Sequence, residues 1–208
     1  MQKNLYSGLL VAVDGPNGVG KTTLIKNLQN YFLAYGEKIY TTREPSNSQL
    51  GEFTRDISEG IGGESLACLV AADRYEHLKN EVIPKLREGF IVLMDRYILS
   101  SLILQRMDDV EVPFILGINA NILLPDIQFV ITANSDVIQK RLAERSLLTR
   151  FEKGNRTDLE IQYLLEGGTA LRDLEIPVME IVNNENLQTN VSLMVDYIMQ
   201  HKNEVLHP

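Results

Sequence analysis

The stretch LLVAVDGPNGVGKTTLIKNL, residues 9–28, leaves the chain few ways to fold. LLVAV (9–13) is a short unbroken apolar run, the pattern of a strand buried on both faces. From Thr22 to Tyr35, apolar residues fall at 24, 25, 28, 32 and 35, which is helical spacing, and Gly36 can close that helix. Between the two lies G-x-x-x-x-G-K-[ST], residues 15–22. Its glycines, Gly15, Gly18 and Gly20, let successive N–H groups turn inward without a Cβ in the way. The positive end of the following helix points at the same spot. Lys21 is then placed to reach the β- and γ-phosphates of a nucleoside triphosphate, and the Thr22 hydroxyl to ligate Mg²⁺.

The rest of the chain alternates in kind. KIYTT (38–42), FIVLM (90–94), IQFVIT (127–132) and PVMEIV (177–182) read as strands. Helical patterns occupy 65–87, with Pro84 marking a break or a second start, then 98–106, 113–123 and 136–145. A charged amphipathic helix runs to about Glu175, and 187–202 is the last helix. Such alternation predicts an α/β fold: a three-layer α/β/α sandwich of the P-loop NTPase kind, on a mostly parallel five-stranded sheet. No linker or repeat divides the chain, so residues 1–208 read as one domain. The loops at 14–21, 43–47, 95–97 and 133–135 all follow strands and gather on one sheet edge.

Twenty basic against 28 acidic residues give a net charge of −8, which argues against a broad nucleic-acid or anionic-membrane surface. No apolar run approaches the ~20 residues of a membrane span. The start, MQKNLYSGLLVAV, shows no small-residue cleavage site, and the expected location is cytoplasmic. The single cysteine, Cys68, excludes an internal disulfide. Its neighbours Leu66, Ala67, Leu69 and Val70 predict that it is buried.

Charged residues close the other strands. Asp95 can hold Mg²⁺ or its waters. Arg96 beside it can fork onto a second phosphate, and Arg43 stands past KIYTT with Pro45 fixing the exit. In AADRYEHL (71–78), Arg74 lies in an apolar helix and needs a partner if buried. An ion pair with Asp73 or Glu76 is one account of it, and reading a ligand base is another. His77 reads as structural. KRLAERSLLTRFEKGNR (140–156) carries Arg141, Arg145, Arg150 and Arg156. With its glycine it reads as a mobile lid, residues 142–157, able to neutralise a transferring phosphoryl group.

Together these pieces resemble the thymidylate kinase family, a group of P-loop nucleoside monophosphate kinases. The resemblance is carried by GPNGVGKTT, TREP followed by GE (51–52), AADRYEH, DRY (95–97) with Ser100, Ser101 and Gln105, Pro125–Asp126, and RLAERSLLTRFE. It runs in order over roughly residues 8–152. It implies transfer of the γ-phosphoryl of ATP, with Mg²⁺, to a nucleoside 5′-monophosphate, most simply dTMP to give dTDP. It implies that Gly15, Asn17, Gly18, Val19, Gly20, Lys21, Thr22 and Thr23 hold ATP, with Arg141 against adenine. Arg43 and Arg96 would grip the acceptor phosphate, and Arg74, Ser101 and Gln105 would face the base. Lys21, Asp95, Arg96, Arg145 and Arg150 would be catalytic, and Thr22 and Asp95 would serve the metal. A homodimer is also implied.

Three positions depart from the family pattern. Val70 stands where a phenylalanine usually stacks on the base, Leu104 where a tyrosine meets the sugar, and Asn17 where an acid lies near the 3′-hydroxyl. All three face the acceptor. The sequence therefore also allows a different or modified nucleotide, or a deoxynucleoside, as acceptor. A P-loop ATPase or switch and a non-catalytic nucleotide binder are the readings of another class. The chain has no N-K-x-D loop and no LSGGQ-like signature.

Overall fold

The computed structural model describes residues 1–144, 149–151 and 156–206. Five strands form one parallel sheet: β1 (Leu9–Asp14), β2 (Ile39–Arg43), β3 (Ile91–Asp95), β4 (Ile127–Thr132) and β5 (Val178–Val182), in the order β2-β3-β1-β4-β5. β1 lies in the centre and all six of its residues are buried, as its unbroken apolar run requires. Leu10 and Ala12 face one layer with Val92, Met94 and Val130. Leu9, Val11 and Val13 face the other with Ile91, Leu93 and Phe129. Each buried Leu or Val here contributes about 1.5–3 kcal/mol.

Helices cover both faces. α1 (Lys21–Ala34) sinks Leu24, Ile25, Leu28 and Phe32 into the core. It ends at Gly36, whose φ of +74° suits the closing turn, while Tyr35 stays outside. α2 (Gln49–Ile57), which the periodicity did not reveal, starts where the Ser48 side chain accepts the Gly51 N–H. α3 (Gly63–His77) continues through a π-turn (Leu78–Val82) into α4 (Ile83–Arg87). The wider turn comes just before Pro84, which lacks an N–H, so the helix persists where the sequence allowed a break. α3 buries Leu66, Ala67, Ala71, Arg74 and His77. Cys68 falls on the opposite side and is exposed, contrary to the expectation from its apolar neighbours.

α5 (Ile98–Leu104), α6 (Val112–Ile118), α7 (Ser135–Ala143), α8 (Thr157–Asp173) and α9 (Leu187–Leu206) complete the two layers. No helix of the described residues is long and apolar enough to cross a membrane.

The topology fixes the site. β1 runs on toward the β2 edge, whereas the chain leaving β3 returns to the far side, at β4. The carboxyl ends of the adjacent strands β1 and β3 are therefore a switch point, where α/β sheets bind ligands. Register aligns Val13, Arg43 and Asp95 at that edge.

Candidate active site

The glycine loop begins at the end of β1, and space sets its composition. A Cβ on Gly15 would lie 2.3 Å from the Ile131 carbonyl oxygen. Gly20, at φ +100°, opens α1 in a left-handed conformation that an L side chain rarely adopts. The loop is braced from below by Arg141 on α7, which donates to the carbonyls of Val19 (3.0 Å), Asn183 (3.0 Å) and Asn184 (2.9 Å). Lys21 curls under the loop and donates to the Gly15 and Pro16 carbonyls, each at 2.9 Å. Burial first, and the charge of Arg96 second, bring its ammonium down to about 7. Asp95, Glu160 and Asp14 act in the opposite direction.

Two cavities flank this loop. One, of about 470 Å³, is lined by Gly18, Gly20, Lys21, Thr22, Thr23 and Arg141. Gly15 and Val19 shape the loop from beneath, and Val19 is fully buried. The second, of about 280 Å³, lies between the loop after β2, α3 and α5, and is lined by Arg43, Val70, Arg74, Ser101, Leu104 and Gln105 among others. Asn17, Asp95 and Arg96 line both, so the cavities meet at those three residues.

Thr22 Oγ1 donates to Asp95 Oδ2 at 3.0 Å. One hydroxyl and one carboxylate form an oxygen-only donor pair, which suits Mg²⁺ because that ion keeps waters and takes phosphate oxygens as further ligands. Among the described residues, no group of three or more His, Cys, Asp or Glu side chains is placed to hold a metal by itself. The residues thus fit an ion that arrives with a triphosphate.

Arg96 has φ +73°, a left-handed backbone that costs about 1 kcal/mol or more for a side chain of this size. The strained turn aims its guanidinium back between the cavities. Nη2 donates to Asn17 Oδ1 at 2.6 Å and Nη1 to Ser100 Oγ at 3.1 Å. Ser100 in turn donates to Asp14 Oδ1 at 2.5 Å. Asp14, fully buried, also accepts from the Tyr97 backbone N–H and Gln128 Nε2.

Sequence reasoning overlooked Asp14, although its place at the end of β1 was a visible signal. It also overlooked Arg55 and Glu160. Arg55 lines the second cavity near Arg43, and its pKa is lowered by burial first and by Arg43 second. The Glu160 carboxylate accepts the Asn17 N–H at 3.1 Å, joining α8 to the loop.

Arg74 is fully buried, and its partner is neither Asp73 nor Glu76. Its Nε donates to Glu44 Oε2 at 2.8 Å, Nη1 to Asn119 and Nη2 to Ser101 Oγ. Asp73 is taken up by Ser46, which holds the start of α2. Gln105 is buried beside the second cavity, and its Oε1 has no hydrogen-bond partner among the described residues.

Of the lid residues, Arg145 lies outside the described residues. Arg150 does not reach the phosphate loop. It forks onto Asp108 (2.8 and 2.5 Å), and its backbone N–H meets the Glu59 carboxylate. Its neighbours Thr149 and Phe151 line the second cavity instead. A bidentate bond to a carboxylate is a strong reason for Arg150 to stay at that corner.

Comparison with known proteins agrees with this geometry. A sequence model of the family described as thymidylate kinase matches residues 13–163. A protein of Caldivirga maquilingensis named probable thymidylate kinase is 35% identical over 185 residues, spanning 85% of this chain and 88% of its own. A thymidylate kinase of Caldicellulosiruptor saccharolyticus is 36% identical over 143 residues, 65% of this chain and 69% of its own. A probable thymidylate kinase of Thermococcus onnurineus is 28% identical over 204 residues, 91% of this chain and 98% of its own.

Proposed function

The chain belongs to the thymidylate kinase family, and from that premise we propose that it transfers the γ-phosphoryl group of ATP to the 5′-phosphate of dTMP, giving dTDP and ADP. The observation that carries this reading is the meeting of the two cavities at Asn17, Asp95 and Arg96. ATP in the loop cavity would present its γ-phosphorus there, and an acceptor phosphate in the second cavity would present its oxygen. That oxygen attacks as the bond from γ-phosphorus to the β–γ bridging oxygen breaks, and ADP leaves with the bond's electrons.

The chain's own part is positioning and charge. Lys21 lies against the transferring group, and Arg96 ties the two phosphates together. Arg43 and Arg55 add positive charge on the acceptor side, which favours an acceptor already phosphorylated. Arg141, held flat by three carbonyls, offers its face to adenine. Thr22 and Asp95 would hold Mg²⁺, whose charge offsets that developing on the phosphates. Gln105 Oε1 and the aliphatic wall of Leu66, Val70 and Leu104 would face the base. Segment 142–157 would serve as a lid, closing the acceptor side through Thr149 and Phe151. The protein would act as a single-domain subunit of a homodimer in the cytoplasm, with no nucleic-acid polymer or membrane as partner.

Because Val70 and Leu104 leave the base wall without an aromatic ring from α3 or α5, a modified or different base is the second reading. The test is the rate of ADP release with Mg²⁺ and ATP across dTMP, base-modified dTMP analogues, dUMP, dCMP, CMP, UMP, dGMP and AMP, with thymidine as the unphosphorylated control. Highest kcat/KM on dTMP supports the first reading. Preference for another monophosphate supports the second.

A further inference from the structure

Beneath the acceptor cavity lies a buried polar cluster in which two atoms face each other unsatisfied. His77 Nδ1 and Glu44 Oε1 are 3.9 Å apart, and neither has a hydrogen-bond partner among the described residues. On the other side of the ring, His77 Nε2 is 2.8 Å from Thr42 Oγ1 and 3.2 Å from Glu81 Oε1. The Thr42 hydroxyl has one proton, and at 2.5 Å it goes to Glu81 Oε1, a carboxylate that can only accept. The hydrogen between Thr42 and the ring therefore comes from Nε2. On the near side, an unprotonated Nδ1 would set its lone pair against a carboxylate oxygen in a site shut off from water. A hydrogen on Nδ1 removes that conflict. The hydrogen bond to Thr42 thus places a proton on Nε2, and the carboxylate oxygen 3.9 Å from Nδ1 favours a second proton there.

The charges agree. Arg74, Glu44, His77 and Glu81 alternate in sign along the cluster when His77 is charged, and an uncompensated negative charge remains when it is neutral. We infer that His77 is held as an imidazolium between Glu44 and Glu81, and that it is a positioning residue for the acceptor pocket. Its charge fixes Glu44, Glu44 fixes Arg74, and both Glu44 and Arg74 line the acceptor cavity. This role rests on the reading of that cavity given above.

The groups facing His77 come from every neighbouring element. Thr42 projects from β2, as does Tyr40, which also donates to Glu81. Glu44 comes from the loop after β2, Arg74 from α3 itself and Glu81 from the π-turn. Glu81 stands four residues after His77, the ordinary spacing of neighbours on one helix face. Burial alone would lower the His77 pKa, but Glu44 and then Glu81 overcome it, and the net shift is upward. A raised folded-state value means that the stabilisation is full below the ordinary histidine range and is lost as pH rises through the raised value. Acceptor binding should weaken in the same window.

The test uses the full chain with ¹⁵N-labelled histidine and arginine, the His77 signal being assigned with His77→Gln. Both ring nitrogens of His77 should be protonated at pH 7, and the Arg74 Nε–H signal should move with the same midpoint as the His77 titration. Across that midpoint the KM for dTMP should rise about 5–10-fold while the KM for ATP stays within about 2-fold. His77→Gln should show the raised dTMP KM at all pH values, with turnover little changed. A neutral ring at pH 7 overturns the inference whatever the acceptor is, as does an Arg74 signal blind to the titration. Equal movement of both KM values reduces His77 to a structural residue. Absence of dTMP turnover with the predicted NMR titration intact would instead contradict the proposed function.

Discussion

Arg96 donates to the side-chain oxygen of Asn17 at 2.6 Å, and this bond lies where the two cavities beside the glycine loop meet. Its other arm reaches Ser100, and through it the buried Asp14 at the foot of the loop. One guanidinium is therefore fixed by the strand before the phosphate loop, by the loop itself and by α5. Asn17→Ala removes one of those anchors. It should lower kcat/KM for dTMP about 10-fold, the size of a hydrogen bond to a charged group, and Arg96→Ala should lower the rate at least about 100-fold. Steady-state kinetics check both, and near-full activity in Arg96→Ala would take that residue out of the mechanism.

Lys21 gives a proton count. In the free protein its ammonium titrates near 7 because it is buried and close to Arg96. Triphosphate oxygens bring negative charge to it and restore the charged form. At pH 8, where a group of pKa about 7 is roughly nine-tenths deprotonated, ATP binding should take up most of one proton. At pH 6 the residue is already charged, and uptake should vanish. Calorimetry in buffers of different ionisation enthalpy measures this, with Lys21→Met as the control in which the pH 8 uptake disappears.

Arg150 and Asp108 should behave as a pair. Because Arg150 is forked onto Asp108, its loss should loosen Thr149 and Phe151 over the acceptor. Arg150→Ala and Asp108→Asn should each raise the dTMP KM about 5-fold, with turnover within about 3-fold and the double variant no worse than either alone. If Arg150→Ala instead slowed turnover by about 100-fold while Asp108→Asn stayed silent, Arg150 would return to the phosphoryl group.

Val70→Phe would add an aromatic face to the wall of the second cavity, where the proposed acceptor base would lie. A base–aromatic stack contributes about 1–3 kcal/mol, so the dTMP KM should fall by about 10-fold. An increase would show that Val70 makes room for a larger acceptor than thymine.

Much of this was legible in the sequence because the constraints are local. A phosphate loop needs its glycines, lysine and threonine in fixed order, and β1 and α1 follow from apolar spacing on either side. Asp95 and Arg96 were visible as charges ending a buried strand. The rest depends on contacts between distant segments. Glu44 meets Arg74 only because β2 and α3 pack together, so local spacing pointed to Asp73 and Glu76 instead. The strained backbone of Arg96 leaves no trace in residue type. α2 has only nine residues, with a glycine in its first turn, and its helical signal was too weak to read. Cys68 shows the reverse error: apolar neighbours on a helix do not share its face.

The most direct test follows the γ-phosphoryl group itself. ATP labelled on its γ-phosphorus would be mixed with excess enzyme and Mg²⁺, with and without dTMP, and products would be resolved over a single turnover. The account predicts label in the β-position of dTDP at a rate far above its release to water, and almost no loss from ATP when dTMP is absent. Label appearing as inorganic phosphate at the same rate with or without dTMP would contradict it.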